Sequence, residues 1–173
     1  MRHLACDGTK ATQSCPCGCR TDPRRECRCS AADVQRYIGR LSGPLLDRID
    51  IHVDVPALSF DELTDTQVSG PTTAEVREQV LGARERQRAR SNGAAFRFNA
   101  HLDSKTLRQY CKLNDASKSL LERALNTLGL SARAYDKILR IARTLADLEA
   151  KEDITEHQVA EAVQYRSLDK SVL

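Results

Sequence analysis

Four cysteines near the start of the chain have the spacing of a metal site. Cys15 and Cys17 form one C-x-C pair and Cys27 and Cys29 a second, with nine residues between the pairs and Cys19 left over. Four thiolates carried on two short turns can close a tetrahedral Zn²⁺ site. With every position taken by sulfur, no place remains for a reacting water, so the expected role is structural. Pro16 and Gly18 suit the tight turn that the first pair needs. The spacing departs from the usual C-x-x-C, and a reduced, metal-free cysteine loop stands as the alternative.

A second candidate for chemistry is Arg48, inside the run R-L-S-G-P-L-L-D-R-I-D-I-H-V-D-V from Arg40 to Val55. Ile49, Ile51, Val53 and Val55 alternate with Asp50, His52 and Asp54, a period that predicts a half-buried strand over 49–55. Pro56 ends it, because proline cannot donate to a ladder. Ser42-Gly43 breaks the preceding helix pattern, and Pro44 suits the first position of a short helix. Arg48 is therefore expected where a short helix hands over to a core strand, rigidly mounted and able to project outward. A guanidinium there is always charged and matches phosphate oxygens in pairs. The plainer alternative is a surface salt bridge to Asp47 or Asp50.

The elements that must carry these groups are mostly helical. Ser30 and Asp33 predict an N-cap and a helix over 31–40, with Val34, Tyr37, Ile38 and Leu41 as its apolar stripe. Arg36 and Arg40 lie on its other side, where solvent is the expected neighbour and DNA or another subunit the alternative. Residues 57–72 are acidic and aperiodic and read as a linker loop. Thr72 with Glu75 predicts a capping box opening a charged helix to about Arg90. That helix reads as a solvated connector, with a basic strip touching DNA as the alternative.

A helical bundle follows from Asp103. Ser104 is expected to cap a short helix to about Cys111, and Asn114 a second to Leu128, stopped by Gly129. Ser131 caps a third helix over 132–150, whose apolar face is Tyr135, Ile138, Leu139, Ala142, Leu145 and Ala146. Thr155 and Gln158 box a fourth, to about Tyr165, with Val159, Ala162 and Val163 facing inward.

Composition sets the outer bounds. The 173 residues, 40% of them hydrophobic, suffice for one domain or one small domain plus part of another. Tryptophan is absent, so the core must be built from Leu, Ile, Val and Ala. A net charge of +3 is too balanced to argue alone for a dedicated nucleic-acid-binding domain. No apolar run is long enough to span a bilayer, and Leu4-Ala5-Cys6 lacks the apolar stretch that a lipoprotein signal requires. A cytoplasmic location without a membrane partner is the expectation, and seven cysteines there argue for metal or free thiols over disulfides.

Three stretches together resemble the ComM/YifB family of magnesium-chelatase-like AAA+ ATPases: C-P-C-G with C-R-C-S (15–18 and 27–30), L-S-G-P-L-L-D-R-I-D-I-H-V (41–53) and L-S-A-R-A-Y-D-K-I-L-R-I-A-R-T-L-A-D-L (130–148). The resemblance covers roughly residues 15–170 in the right order. It implies a mostly α chain: a helical-bundle AAA+ lid domain over 73–173, preceded over 1–56 by a C-terminal remnant of an α/β AAA+ core with a cysteine-rich loop. It gives Arg48 the role of an arginine finger acting in trans on a neighbouring subunit's nucleotide. It gives Arg133 the role of the lid's nucleotide-sensing arginine. Arg133 falls in a first helical turn, where backbone N–H groups already favour phosphate. Arg140 and Arg143 are expected instead to pair with Asp136 and Asp147.

For the complete family member the resemblance implies ATP and Mg²⁺ as cofactors, a ring-forming homo-oligomer, and ATP-driven remodelling or branch migration of DNA associated with natural transformation. This chain departs from the pattern in places. Gln13-Ser14 stand where the family has Asn-Pro, so its γ-phosphate sensor is not carried over, and residues 1–12 read as a false start outside the family sequence. No G-x-x-x-x-G-K-[ST] is present, so the chain is not expected to hydrolyse ATP alone. Two other readings remain beside this one: a small zinc-dependent DNA-binding module with a helix-turn-helix around Gly129-Leu130, and a degenerate remnant without activity.

Overall fold

The computed structural model describes residues 15–20, 22, 24–40, 48–53, 55, 58–64, 70–91 and 98–166. They fall into two units. One holds the described residues up to Arg40 and from Val55 to Thr64; the other holds 48–53 and those from Gly70 onward.

The first unit carries the cysteine loop, helix α1 (Ala31–Ile38) and the short helix α2 (Phe60–Thr64). Ser30 caps α1 as expected: its hydroxyl accepts the Asp33 N–H at 3.2 Å and donates to the Asp33 carboxylate at 2.6 Å. Val34 is the buried residue of α1, and the helix stops at Gly39, two residues short of the expected Leu41 stripe position.

The second unit is a helical bundle. Helix α3 (Thr73–Ser91) opens on the expected box, with the Thr72 N–H donating to the Glu75 carboxylate at 2.7 Å and the Glu75 N–H returning to the Thr72 hydroxyl at 3.3 Å. A 3₁₀ turn (Asn99–His101) leads to α4 (Ser104–Tyr110), α5 (Asp115–Leu128), α6 (Ala132–Leu148) and α7 (Glu156–Gln164). The cap of α4 is Asp103, one residue before the expected Ser104; its carboxylate accepts the Thr106 N–H at 2.8 Å. Asn114 and Ser131 cap α5 and α6 as expected, and Gly129 ends α5 in the left-handed conformation at φ 61°.

Helix α6 lies against α3, α4, the 3₁₀ turn and α7. Its buried stripe is Ala134, Ile138, Leu139, Ile141, Ala142 and Ala146, closed by Leu102, Leu107, Leu121, Ile154, Val159 and Ala162 from its neighbours. Tyr135, expected inside, is exposed, and Ile141 takes its place. Ile141 joins the same core cluster as Ile138, Leu139 and Ala142.

A buried polar node joins these helices. Asp147 is fully buried, and Arg90 grips both of its oxygens, one of them at 3.0 Å. Asn99 donates to it at 2.8 Å and Arg143 at 3.2 Å. Arg86 reaches the Asp147 carbonyl at 3.0 Å, and Gln87 accepts the Asn99 N–H at 3.2 Å. Helix α3 is thus not a purely solvated connector: its last turns are bolted to α6. The expected pairs of Arg143 with Asp147 and Arg140 with Asp136 are present, the latter at 3.9 Å. Arg140 is held more closely by the Leu102 carbonyl, at 2.8 Å.

The strand expected over 49–55 is not formed in its described residues. Residues 49–53 run as a strap on the bundle, held by a few individual contacts. The His52 N–H donates to the Tyr165 carbonyl at 2.8 Å, Asp50 pairs with Lys137 at 2.8 Å, and the Arg166 guanidinium donates to the Ile49 carbonyl. His52 is buried while Ile51 and Val53 are 49% and 64% exposed, the reverse of the expected facing. A strand needs partners for its backbone groups, and no strand among the described residues supplies them, so single hydrogen bonds and one buried ring decide which side faces inward. The short helix expected after Pro44 lies outside the described residues.

Candidate functional site

The two C-x-C turns bring their sulfurs to one point. The Cys15 and Cys17 sulfurs lie 3.4 Å apart, and Cys27 lies 3.7 Å from each. The Sγ atoms of Cys15, Cys17, Cys27 and Cys29 all fall within 4.8 Å of one another. Sulfurs about 2.3 Å from a tetrahedral zinc are separated by roughly 3.8 Å, so the cluster already has nearly the right size for such an ion. The fold makes it locally. The Gly18 N–H closes a turn onto the Cys15 carbonyl at 3.1 Å, with Gly18 at φ 75°, where a side chain would be strained. In the loop between the pairs, Asp22 accepts from the Arg24 N–H at 2.9 Å and from the Arg25 guanidinium at 2.8 Å.

Cys15 is buried and Cys17 is exposed. Hydrogen bonds from the Cys19 backbone first, and then from the Cys29 thiol, pull the Cys17 thiol down to about 6. That favours the thiolate, the form that binds metal, at Cys17, while the Cys29 thiol that donates to it is pushed up to about 12. The spare Cys19 turns away, its thiol donating to the Cys17 carbonyl at 3.4 Å. A second group, Glu149, His157 and Glu161, also gathers its ligand atoms within 4.8 Å. Its carboxylates are already engaged by Lys151 at 2.7 Å, Gln158 at 2.7 Å and Tyr165 at 2.8 Å, as in an ordinary surface network.

Arg48 is exposed in the turn that enters the strap. Asp50, one of the two partners weighed for it, pairs with Lys137. Arg133 is exposed in the first turn of α6, directly after the Ser131 cap. Arg140 and Arg143, on the same helix, are committed to the protein's own backbone: Arg143 holds the Lys151 and Glu152 carbonyls at 2.7 and 2.6 Å. Sequence reasoning paired Asp147 with Arg143 but missed its other partners, Arg90 and Asn99, because they are far away in the chain. It also missed a cleft beside the cysteines, lined by Pro16, Cys17, Arg28, Cys29, Asp33, Arg36, Tyr37 and Arg40.

Taken together, the fold is a helical lid domain preceded by a cysteine cluster that could hold a metal ion. The chain belongs to the magnesium chelatase family: the profile described as magnesium chelatase, subunit ChlI C-terminal, matches residues 70–166, and that of magnesium chelatase, subunit ChlI, matches residues 6–63. The second match begins inside the stretch expected to lie outside the family and corrects that reading for residues 6–12, which carry no periodicity by which to place them.

Within the family the chain is of the ComM/YifB type. It is 47% identical over 141 residues to the competence protein ComM of Haemophilus influenzae, covering 82% of this chain and 27% of that protein. It is 42% identical over 146 residues to YifB of Escherichia coli, covering 84% of this chain and 28% of that protein. A Mycobacterium tuberculosis protein is 36% identical over 151 residues, 87% of this chain and 30% of its own length. The chain thus spans less than a third of the length of these relatives. Among the described residues, no helix is long and apolar enough to cross a membrane.

Proposed function

We propose that this chain supplies the arginine-finger and lid portion of a ComM/YifB-type AAA+ ATPase. In this reading the complete protein assembles as a homo-oligomeric ring that couples ATP and Mg²⁺ to DNA remodelling or branch migration, as in natural transformation. Arg48 acts in trans on the nucleotide of a neighbouring subunit, spreading positive charge onto the γ-phosphate oxygens as the transition state forms. Arg133 acts from the lid, on the first turn of α6, where the positive end of the helix dipole favours the same phosphate. Cys15, Cys17, Cys27 and Cys29 hold one structural Zn²⁺, which fixes the loop ahead of α1. The compartment is the cytoplasm.

The observation that carries the reading is the family match over most of the lid, 70–166, combined with Arg133 exposed at the start of the central lid helix. The sequence holds no phosphate-binding loop, so the chain alone should not turn over ATP. Two measurements test this. The purified chain should show no Mg²⁺-dependent ATP hydrolysis, and metal analysis without chelator should find about one Zn²⁺ per chain. Turnover by the chain itself, abolished in Arg48→Ala, would contradict the first; four freely titrating cluster thiols and no metal would contradict the second.

A further inference from the structure

Cys19 is the one thiol of the cysteine loop that the four-sulfur cluster leaves out. It nevertheless stands beside one member of that cluster. Its thiol donates to the Cys17 carbonyl at 3.4 Å, and its side chain also hydrogen-bonds that of Cys17. The cluster itself is lopsided: Cys15 is buried, Cys27 and Cys29 are half-buried, and Cys17 is exposed. An oxidant arriving from solvent therefore meets the Cys17 sulfur first. The thiolate is at once the form that binds metal and the form that attacks an oxidant, so metal binding keeps Cys17 in its reactive state. Oxidation-sensitive cysteines combine thiolate character and exposure with a second thiol close by. Cys17 and Cys19 have that arrangement, and Gly18 between them sits at φ 75°, so the chain already bends where a bond between the two sulfurs would need it to.

We propose that Cys17 is an oxidation site for hydroperoxides and that Cys19 is its resolving thiol, so that oxidation opens the metal cluster. The release of metal rests on the zinc reading above; the pairing of the two sulfurs rests on their placement. In the first step the Cys17 thiolate attacks one peroxide oxygen. The O–O bond breaks, Cys17 becomes a sulfenic acid, and hydroxide leaves. In the second step the Cys19 sulfur attacks the sulfenic sulfur. The S–S bond forms, the S–O bond breaks, and the hydroxyl departs as water with the Cys19 proton. Two electrons pass from the sulfurs to the peroxide. Cys15, Cys27 and Cys29 remain, one short of the four ligands that a structural zinc site uses, and the ion is released. A dithiol reverses the change by thiol–disulfide exchange.

The test treats the reduced, zinc-loaded chain with hydrogen peroxide, follows released Zn²⁺ with a chromogenic chelator, and maps the oxidised cysteines by peptide mass spectrometry. The wild type is compared with Cys19→Ser. Both should carry the same zinc before treatment, since Cys19 is outside the cluster. The wild type should release about one Zn²⁺ for each Cys17–Cys19 disulfide formed, and should take it up again after dithiothreitol and added zinc. In Cys19→Ser, Cys17 should instead be trapped by dimedone as the sulfenic acid and pass on to the sulfinic acid, so that dithiothreitol no longer restores the zinc. Three results would overturn the proposal: a wild-type disulfide within the set of four with Cys19 still free to alkylate, zinc retained at peroxide levels that oxidise free glutathione, or full recovery by Cys19→Ser. A Cys19→Ser chain that cannot load zinc would make Cys19 a ligand and overturn its role as the resolving thiol. A wild-type chain without zinc before treatment would contradict the metal reading instead, and the mapped peroxide product would then still decide whether Cys17 and Cys19 pair.

Discussion

Asp147 sits where three stretches distant in sequence meet, and its carboxylate is the one charge that Arg90 and Arg143 share. Removing one partner of a buried ion pair leaves the others uncompensated, at a cost of about 3–5 kcal/mol. Asp147→Ala should therefore lower the stability of the bundle by about 3 kcal/mol or more in urea unfolding; a loss below about 1 kcal/mol would place the node at the level of a surface pair. Cys111 offers a second check. It is buried against the same node, and burial above all pushes its thiol up to about 11. In native protein at pH 8 it should resist alkylation and react only after unfolding. Rapid native labelling at Cys111 would show that the bundle opens there.

At the scale of elements, the two left-handed helix ends make opposite predictions. Gly129 adopts φ 61° with open space around it, so Gly129→Ala pays only backbone strain, about 1 kcal/mol. After α6 the chain makes a similar turn with Ala150 at φ 58°, closed by the Lys151 N–H on the Ala146 carbonyl at 2.8 Å. There Ala150→Gly should raise stability by about 0.5–1 kcal/mol, read as a higher urea midpoint. No gain would mean that Arg143, which holds the following carbonyls, already absorbs the strain.

The N-terminal caps of the helices were legible in the sequence because each is a contact across three residues: Thr72 with Glu75, Asn114 with Ser117, Ser131 with Ala134. The cysteine cluster was legible for the same reason, as two local turns. The strand over 49–55 was not, because pairing depends on neighbours that alternation cannot reveal. Hydrogen exchange should show this directly, with the His52 amide protected and those of Ile51 and Val53 much less so. Equal protection of all three, at the level of Ile138, would mean that the strap is part of a paired sheet.

At the scale of the molecule, the two units differ in what can order them: in one a cluster of four cysteines that could hold a metal ion, in the other an apolar core with a buried polar node. Chelation should therefore unfold the cysteine module and leave the bundle's helical circular-dichroism signal largely intact. Simultaneous loss of both would mean that the bundle depends on the metal.

In the proposed assembly, Arg48 completes a neighbour's ATP site. The most direct test fuses this chain to the remaining portion of the ComM relative and measures ATPase activity in mixed rings. A chimera with Arg48→Ala should fall by about 10³-fold or more while still binding nucleotide. Mixing it with a chimera whose ATP-binding half has been inactivated should restore turnover, because each then supplies what the other lacks. Full activity of Arg48→Ala alone, or no recovery in rings shown to be mixed, would contradict the assignment.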